Sequence, residues 1–262
     1  MAKKNTRIIA VANEKGGVGK TATVINLGAA LSKEKKTVLI VDMDPQSAAT
    51  RGFGIEVSEE SPTIYDMIMN PDDYPLKNVV KETKWPGIDL LPSNSDLSGA
   101  EVELVEVEGR ENRLREAMEN ANGCYDFILV DTPPSLSLLT VNVFSYAGEI
   151  LVPCQTHPYA YSALEELFDT IEAVQEDINP DLKITGIVAT FYDHRTRVSR
   201  SIMDRLKTAE QTKDLLLDSV IRANTTVAES AFVGKPVVFY RGTSFGAEDY
   251  MSLAREIIQK GK

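Results

Sequence analysis

The sequence predicts an α/β protein built as a three-layer sandwich, with a mainly parallel, twisted sheet between two layers of helices. Two observations predict it. Short, fully apolar, β-branched runs alternate with segments of helical periodicity, a pattern that implies right-handed crossovers and a sheet covered on both faces. The first of these runs also passes directly into a glycine-rich loop, as a buried parallel strand does when it enters a phosphate-binding turn. With 262 residues, 43% of them hydrophobic, the chain is long enough for one large α/β unit with a continuous core. It carries no internal repeat, low-complexity tract or linker-like break, so a single domain over 1–262 is expected.

Residues 7–13 (RIIAVAN) read as the first strand. A helix follows over 20–33, where Val24, Leu27, Ala30 and Leu31 recur at helical spacing and basic residues gather at the end. Residues 37–42 (TVLIVD) are too short and too β-branched for anything but a strand. Further strands are expected at 127–131, 150–153, 184–190 and 215–220. Helices are expected near 62–70, 97–121, 137–147, 160–177, 196–208 and 244–260. The stretch 56–86 is the least regular, with Pro62, Pro71, Pro75, Pro86 and the Asp72-Asp73 pair marking turns.

The net charge of −11 argues against a uniformly basic surface that coats nucleic acid, so any such contact needs a local patch. Glu101, Glu103, Glu106, Glu108, Glu111, Glu116 and Glu119 crowd one stretch, read as a solvated helix face. Cys124 and Cys154 form no CxxC pair, which signals neither a disulfide framework nor a zinc or iron-sulfur site; two lone buried thiols in a reducing cytosol are expected. His157 and His194 stand too far apart in sequence to suggest a metal or catalytic pair. Lys3, Lys4 and Arg7 open the chain, and no following apolar stretch is long enough for a signal peptide or membrane span, so a cytoplasmic location is expected.

Residues 15–21 read KGGVGKT, a variant of Gly-x-x-x-x-Gly-Lys-Thr with Glu14 where the strict pattern has glycine. Gly16, Gly17 and Gly19, with Val18 between them, let the backbone turn N–H groups toward phosphate oxygens. The helix opening at Lys20, Thr21 and Ala22 adds its positive end. Lys20 then reaches the β and γ phosphates and the Thr21 hydroxyl takes magnesium. Two further segments supply carboxylates. Asp42 and Asp44 (VDMDPQ) end the second strand on one side of it, at the edge where open α/β sheets bind ligands. Asp131 ends the apolar run of 125–134 (YDFILVDTPP), in position to hold a magnesium-bound water opposite Thr21. Taken singly, each aspartate could instead be a helix N-cap, but their order after KGGVGKT leaves that alternative little room.

KGGVGKT with its early lysine resembles the deviant Walker A class of P-loop NTPases, which includes ParA, Soj, MinD and the nitrogenase iron protein. The segments PCQTHPYAYSALEEL, ATFYDHRTRVSRSIMDRL and ESAFVGKPVVFY, with SFGAEDYMSLAREI after it, extend the resemblance to ParA partition ATPases over nearly the whole chain. The resemblance implies ATP and magnesium as ligands, a homodimer closed on two nucleotides, and Lys15 acting across the interface on the partner's nucleotide. It implies Asp44 as the residue that orients the attacking water, Asp42 as support for magnesium, and residues 132–135 as a second switch. It further implies a ParB-like stimulator with a basic peptide, and DNA bound without sequence preference, which makes the ATP-bound form nucleoid-associated. Arg195, Arg197, Arg200 and Arg205, with Lys207 and Arg222, are the DNA candidates; the alternative is ordinary surface charge paired with glutamates.

Small chromosomal ParA proteins commonly carry Ile-Pro-Arg-Asn and a further arginine two positions on, where this chain has Ile221-Arg222-Ala223-Asn224-Thr225-Thr226. Neither of the two matching positions holds an arginine here. Arg222 and Asn224 are candidates for the adenine side. MinD-like proteins end in a basic amphipathic membrane helix, whereas EIIQKGK is too short to bury an apolar face in lipid, so no membrane partner is expected. Two further readings stand beside DNA partition: a ParA-like ATPase that positions a protein cargo, and an ATP-dependent ligase similar to dethiobiotin synthetase.

Overall fold

The computed structural model describes residues 5–261; Lys3 and Lys4 of the opening basic stretch, and Lys262, lie outside the described residues. Eight strands, β1 (Arg7–Val11), β2 (Val38–Asp42), β3 (Lys81–Glu82), β4 (Ile88–Leu91), β5 (Phe127–Asp131), β6 (Glu149–Gln155), β7 (Lys183–Tyr192) and β8 (Leu216–Arg222), form one sheet in the order β3-β4-β2-β5-β1-β6-β7-β8. Every pairing is parallel except the short β3–β4 ladder at one edge. The helices are α1 (Lys20–Lys33), α2 (Ala48–Gly52), α3 (Ile64–Met69), α4 (Leu76–Val79), α5 (Leu97–Glu103), α6 (Arg113–Ala117), α7 (Leu138–Tyr146), α8 (Ala160–Asp177), α9 (Arg197–Thr208), α10 (Thr225–Phe232), α11 (Val237–Tyr240) and α12 (Phe245–Lys260).

The apolar strand runs serve two cores because successive side chains point to opposite faces. Ala10 and Ala12 of the β1 segment, Leu39 and Val41 of β2, and Ile128 and Val130 of β5 join one core with α3, α5, α6, α7 and α8. Ile9 and Val11, Val38 and Ile40, and Leu129 join the other with α1, α11 and α12. Helix α1 lies close against β2 at Gly28, where an added Cβ would stand 2.7 Å from the Ile40 Cδ1 methyl. Glycine there lets the helix after the loop sit down on the strand whose end carries Asp42.

Two expectations are corrected, and a strand is added to those the sequence predicts. The single helix over 97–121 is broken into α5, α6 and two 3-10 turns, because Gly109 takes a left-handed φ of 70° and the chain reverses between Val102 and Val107. The glutamates of this stretch therefore do not share one helix face. Cys124 is exposed in the turn before β5, while Cys154 is buried on β6 with its thiol pushed up to about 12 by burial. The irregular stretch 56–86 is followed by β4, four residues directly behind Pro86 and Gly87, which extends the sheet beside β2.

Candidate functional site

The C-terminal ends of β1, β2 and β5 stand side by side, with Val11 paired to Asp131 and Asp42 paired to Asp131 in register. Beyond β1, Asn13 fixes the start of the loop: its amide donates to the Pro153 carbonyl at 2.8 Å, and its side-chain oxygen accepts from the Lys15 N–H at 3.0 Å. Gly17 and Gly19 take φ of 77° and 92°, a region that suits glycine. The Thr190 hydroxyl donates to the Val18 carbonyl at 2.8 Å and ties the loop to β7. Helix α1 then begins at Lys20 with no side-chain cap, which leaves its leading N–H groups available to an anion. A cavity of about 250 Å³ is bounded by the loop from Gly16 to Ala22 with Asp44 and Pro134.

Lys20 is buried, and its ammonium donates to the Asn13 carbonyl at 2.8 Å and the Lys15 carbonyl at 3.3 Å. Burial lowers its pKa, opposed by the charges of Asp131 and Asp44. Lys15 points over the Tyr159 ring, with Nζ 5.9 Å from the centroid.

The three aspartates differ in their surroundings. Asp131 is fully buried, and neither of its oxygens has a hydrogen-bond partner among the described residues. The Thr21 hydroxyl faces it without closing an ordinary hydrogen bond. Burial, then the charge of Asp42, pushes its pKa well above the usual carboxylate range. A buried carboxylate with open lone pairs beside a hydroxyl is a donor set that fits a hard divalent cation. Asp42 is equally buried but satisfied: it accepts from the Thr50 N–H and hydroxyl, both at 2.7 Å, and from the Asp44 N–H at 3.2 Å. Burial outweighs these bonds and raises its pKa to about 6. Each of its oxygens already accepts from the protein, unlike those of Asp131. Asp44 borders the cavity, with Oδ1 accepting from the Gln46 N–H at 2.9 Å.

On the far side of Gly19 and Ala22, a smaller cavity of about 30 Å³ is edged by Phe191, Arg222, Asn224 and Tyr250. Arg222 and Asn224 thus stand next to the loop, yet both are engaged. The Arg222 guanidinium lies on the Phe245 ring at 4.4 Å and forks onto Asp249, Nε donating at 2.9 Å and Nη2 at 2.5 Å. Asn224 caps α10, accepting from the Thr226 N–H at 2.8 Å.

The remaining arginines separate into two groups. Arg195 pairs with Asp193 at 2.8 Å, and Arg205 lies 3.8 Å over the Tyr161 ring. Arg197 and Arg200 are exposed on α9 without an ion pair among the described residues, and Lys207 lies on the same helical face. Sequence reasoning passes over Asn13, Thr50, Ser93, Thr190 and Phe191. Their signal is weak, since an isolated asparagine or hydroxyl residue reads as a turn former until the segment it bonds to is known.

Against known proteins, residues 6–184 match an AAA domain family. The chain is 40% identical over 262 residues to the chromosome partitioning protein ParA of Caulobacter vibrioides, covering 99% of this chain and 97% of that protein. It is 40% identical over 255 residues to the sporulation initiation inhibitor protein Soj of Bacillus subtilis, covering 97% and 99%. Among solved structures, cobyrinic acid a,c-diamide synthase from Mycobacterium smegmatis with bound ATP analogue and magnesium superposes with a TM-score of 0.83 at 34% identity, covering 97% of this chain and 95% of that one.

Proposed function

Because this chain belongs to the ParA family of partition ATPases, we propose that it binds ATP with magnesium, closes on it as a homodimer, and hydrolyses it slowly in a cycle that moves genetic cargo. One observation carries the nucleotide reading: an uncapped helix start and a buried ammonium line one cavity with Asp44, and the buried Asp131 carboxylate, its two oxygens unsatisfied, stands against Thr21 of that lining. Their charges and open hydrogen-bonding groups are complementary to a phosphate chain with its metal. The ATP analogue and magnesium of the M. smegmatis relative support the same ligands here.

In this reading the backbone from Gly16 to Ala22 cradles the phosphates, and Lys20 exchanges its two loop carbonyls for phosphate oxygens. Thr21, and Asp131 through a bound water, would hold magnesium, braced by Asp42, and the metal would supply positive charge to the phosphates. Asp44 orients water for in-line attack, so most of the catalysis is placement and charge. Lys15 supplies a cation to the partner's nucleotide. Arg222 and Asn224 border the base, the first fixed by Asp249 and the second by its capping role. The DNA face narrows to Arg197, Arg200 and Lys207, since Arg195 and Arg222 are paired with aspartates and Arg205 is held over the Tyr161 ring, off that helical face. A ParB-like protein with a basic segment is the matching stimulator for a chain of net charge −11.

Retention of wild-type protein on DNA with ATP, but not with ADP or without nucleotide, tests the cycle, with Lys20→Ala as the control that loses ATP binding. Equal retention in all three states would remove the ATP switch, and normal ATP affinity in Lys20→Ala would remove the phosphate-loop assignment. The name of the M. smegmatis relative favours a second reading, an ATP-dependent synthase. Phosphate release with water alone separates the two, because a synthase needs its acceptor.

A further inference from the structure

Asp44 is held by more than its own turn. Its carbonyl accepts from the Ser47 N–H at 2.8 Å, the closing bond of a tight turn in which Ser47 takes a left-handed φ of 47°. The same carbonyl also accepts from the Ser93 hydroxyl at 2.9 Å, reached from the loop after β4, 49 residues along the chain. Ser93 has a second acceptor in range, the Asn94 carbonyl, but at 3.5 Å it is the weaker claim on the single hydroxyl proton. The Ser93 N–H donates to the Thr50 hydroxyl oxygen at 3.1 Å, and that hydroxyl donates to Asp42 Oδ2 at 2.7 Å. Asp42 Oδ1 in turn accepts from the Asp44 N–H at 3.2 Å.

These bonds close a ring that runs Asp42, Thr50, Ser93, Asp44 and back to Asp42. Each hydroxyl has one proton, and each proton has an acceptor within the ring, so the direction of donation is fixed. All four residues are buried, from 0% exposed at Asp42 to 8% at Asp44. Three separate pieces of chain, the end of β2, helix α2 and the loop after β4, are thereby joined around one residue, Asp44. Bonds shielded from water hold geometry more firmly than exposed ones, because the groups have no solvent alternative.

We propose that Ser93 and Thr50 are positioning residues for hydrolysis: through the Asp44 carbonyl and the Asp42 carboxylate they set the backbone of the turn, and so the aim of the Asp44 carboxylate. Neither touches nucleotide in this scheme. The assignment rests on the reading of Asp44 as the water-orienting residue and extends it to the residues that hold Asp44 in place.

The test is single-turnover hydrolysis at saturating magnesium-ATP in Ser93→Ala, Thr50→Val and Thr50→Ser, with ATP affinity and thermal unfolding measured on the same samples. Ser93→Ala removes the bond to Asp44 and leaves the N–H on Thr50. Thr50→Val keeps the shape but breaks the ring at two points, and Thr50→Ser restores the hydroxyl. The expected result is a rate lower by about tenfold in Ser93→Ala and Thr50→Val, recovered to within about twofold in Thr50→Ser, with ATP affinity unchanged. A wild-type rate in Ser93→Ala overturns the proposal, as does a loss in Thr50→Val that serine fails to restore or that tracks weaker ATP binding. Should Thr50→Val not fold, Ser93→Ala decides alone. Asp44→Ala separates the two layers of argument: if it hydrolyses normally, the role of Asp44 itself falls, whereas an inactive Asp44→Ala beside a fully active Ser93→Ala sinks only the ring.

Discussion

Glu14 occupies the position where the strict phosphate-loop pattern has glycine, and the structure turns its carboxyl toward Glu166 on α8, with Asp169 near. Burial first, then the hydrogen bond and charge of Glu166, raises its pKa from 4.5 to about 7. The sign follows from proton counting. Between about 4.5 and about 7 the folded chain holds a proton that the unfolded chain has released, so stability falls as pH rises through that window and levels off above it. Glu14→Gln should flatten this dependence and raise the melting temperature at pH 8. The side chain is largely screened by solvent, which limits the gain to about 2–4 °C, the shift that about 1 kcal/mol produces in a chain of this size. Parallel melting curves at pH 5 and pH 8 check it, and an unchanged slope would mean the carboxylates do not meet. Lys20, Thr21, Asp44 and Asp131 are legible as candidates because their spacing belongs to short contiguous motifs. Ser93 and Thr50 are not, since the bond between them spans 43 residues.

At the scale of elements, strands buried on both faces are the readable part. The runs ending in Val11, Asp42 and Asp131 have no polar interruption, and a sheet packed between two helical layers demands that. Strand β4 escapes because Ile88–Leu91 is interrupted by Asp89, whose carboxylate accepts from Tyr125 at 2.9 Å, and because Pro86 and Gly87 read as a turn. Helix α10 escapes for the opposite reason: Asn224 reads as a binding residue and is also an N-cap. Helix α9 lies where its periodicity predicts, and it carries the DNA prediction. Arg197, Arg200 and Lys207 recur at positions i, i+3 and i+10 of one face, with Asp204 between the last two at i+7, so the two arginines at its start are the part able to meet phosphates. Replacing Arg197 and Arg200 with alanine should weaken ATP-dependent DNA binding and reduce the slope of log affinity against log salt by ~1.8, about 0.9 for each phosphate no longer neutralised. Arg205→Ala should leave that slope unchanged, because its guanidinium is held over the Tyr161 ring, off the helical face shared by Arg197, Arg200 and Lys207. Titrations at several salt concentrations distinguish the two, and an equal effect of Arg205→Ala would move the DNA face around the helix.

Across the whole molecule, the sheet order places the least stable chemistry at its centre. Strands β1, β2 and β5 are neighbours, so their C-terminal ends bring Asp42, Asp131 and Lys20 together where water is excluded from both faces. An orphaned carboxylate there costs the ligand-free fold free energy, and a bound cation relieves that cost. On the proposed assignment, ligand binding and stability are linked through Asp131. Saturation at about a hundredfold over the dissociation constant stabilises a folded chain by about 2.7 kcal/mol, which at about 2–4 °C per kcal/mol is roughly 5–11 °C in melting temperature. Wild-type protein should show that increment with magnesium-ATP and a smaller one with ATP and a chelator. Asp131→Asn removes the buried ionisable group, and with it the cost of either protonating it or charging it beside Asp42, so the ligand-free protein should melt a few degrees higher than wild type while the magnesium-dependent part of the increment disappears. Differential scanning fluorimetry of both proteins in the three conditions reads all of this. A variant that melts lower without ligand, or that keeps the full magnesium increment, would show that the open oxygens of Asp131 are neither a burden on the fold nor part of the cation's site.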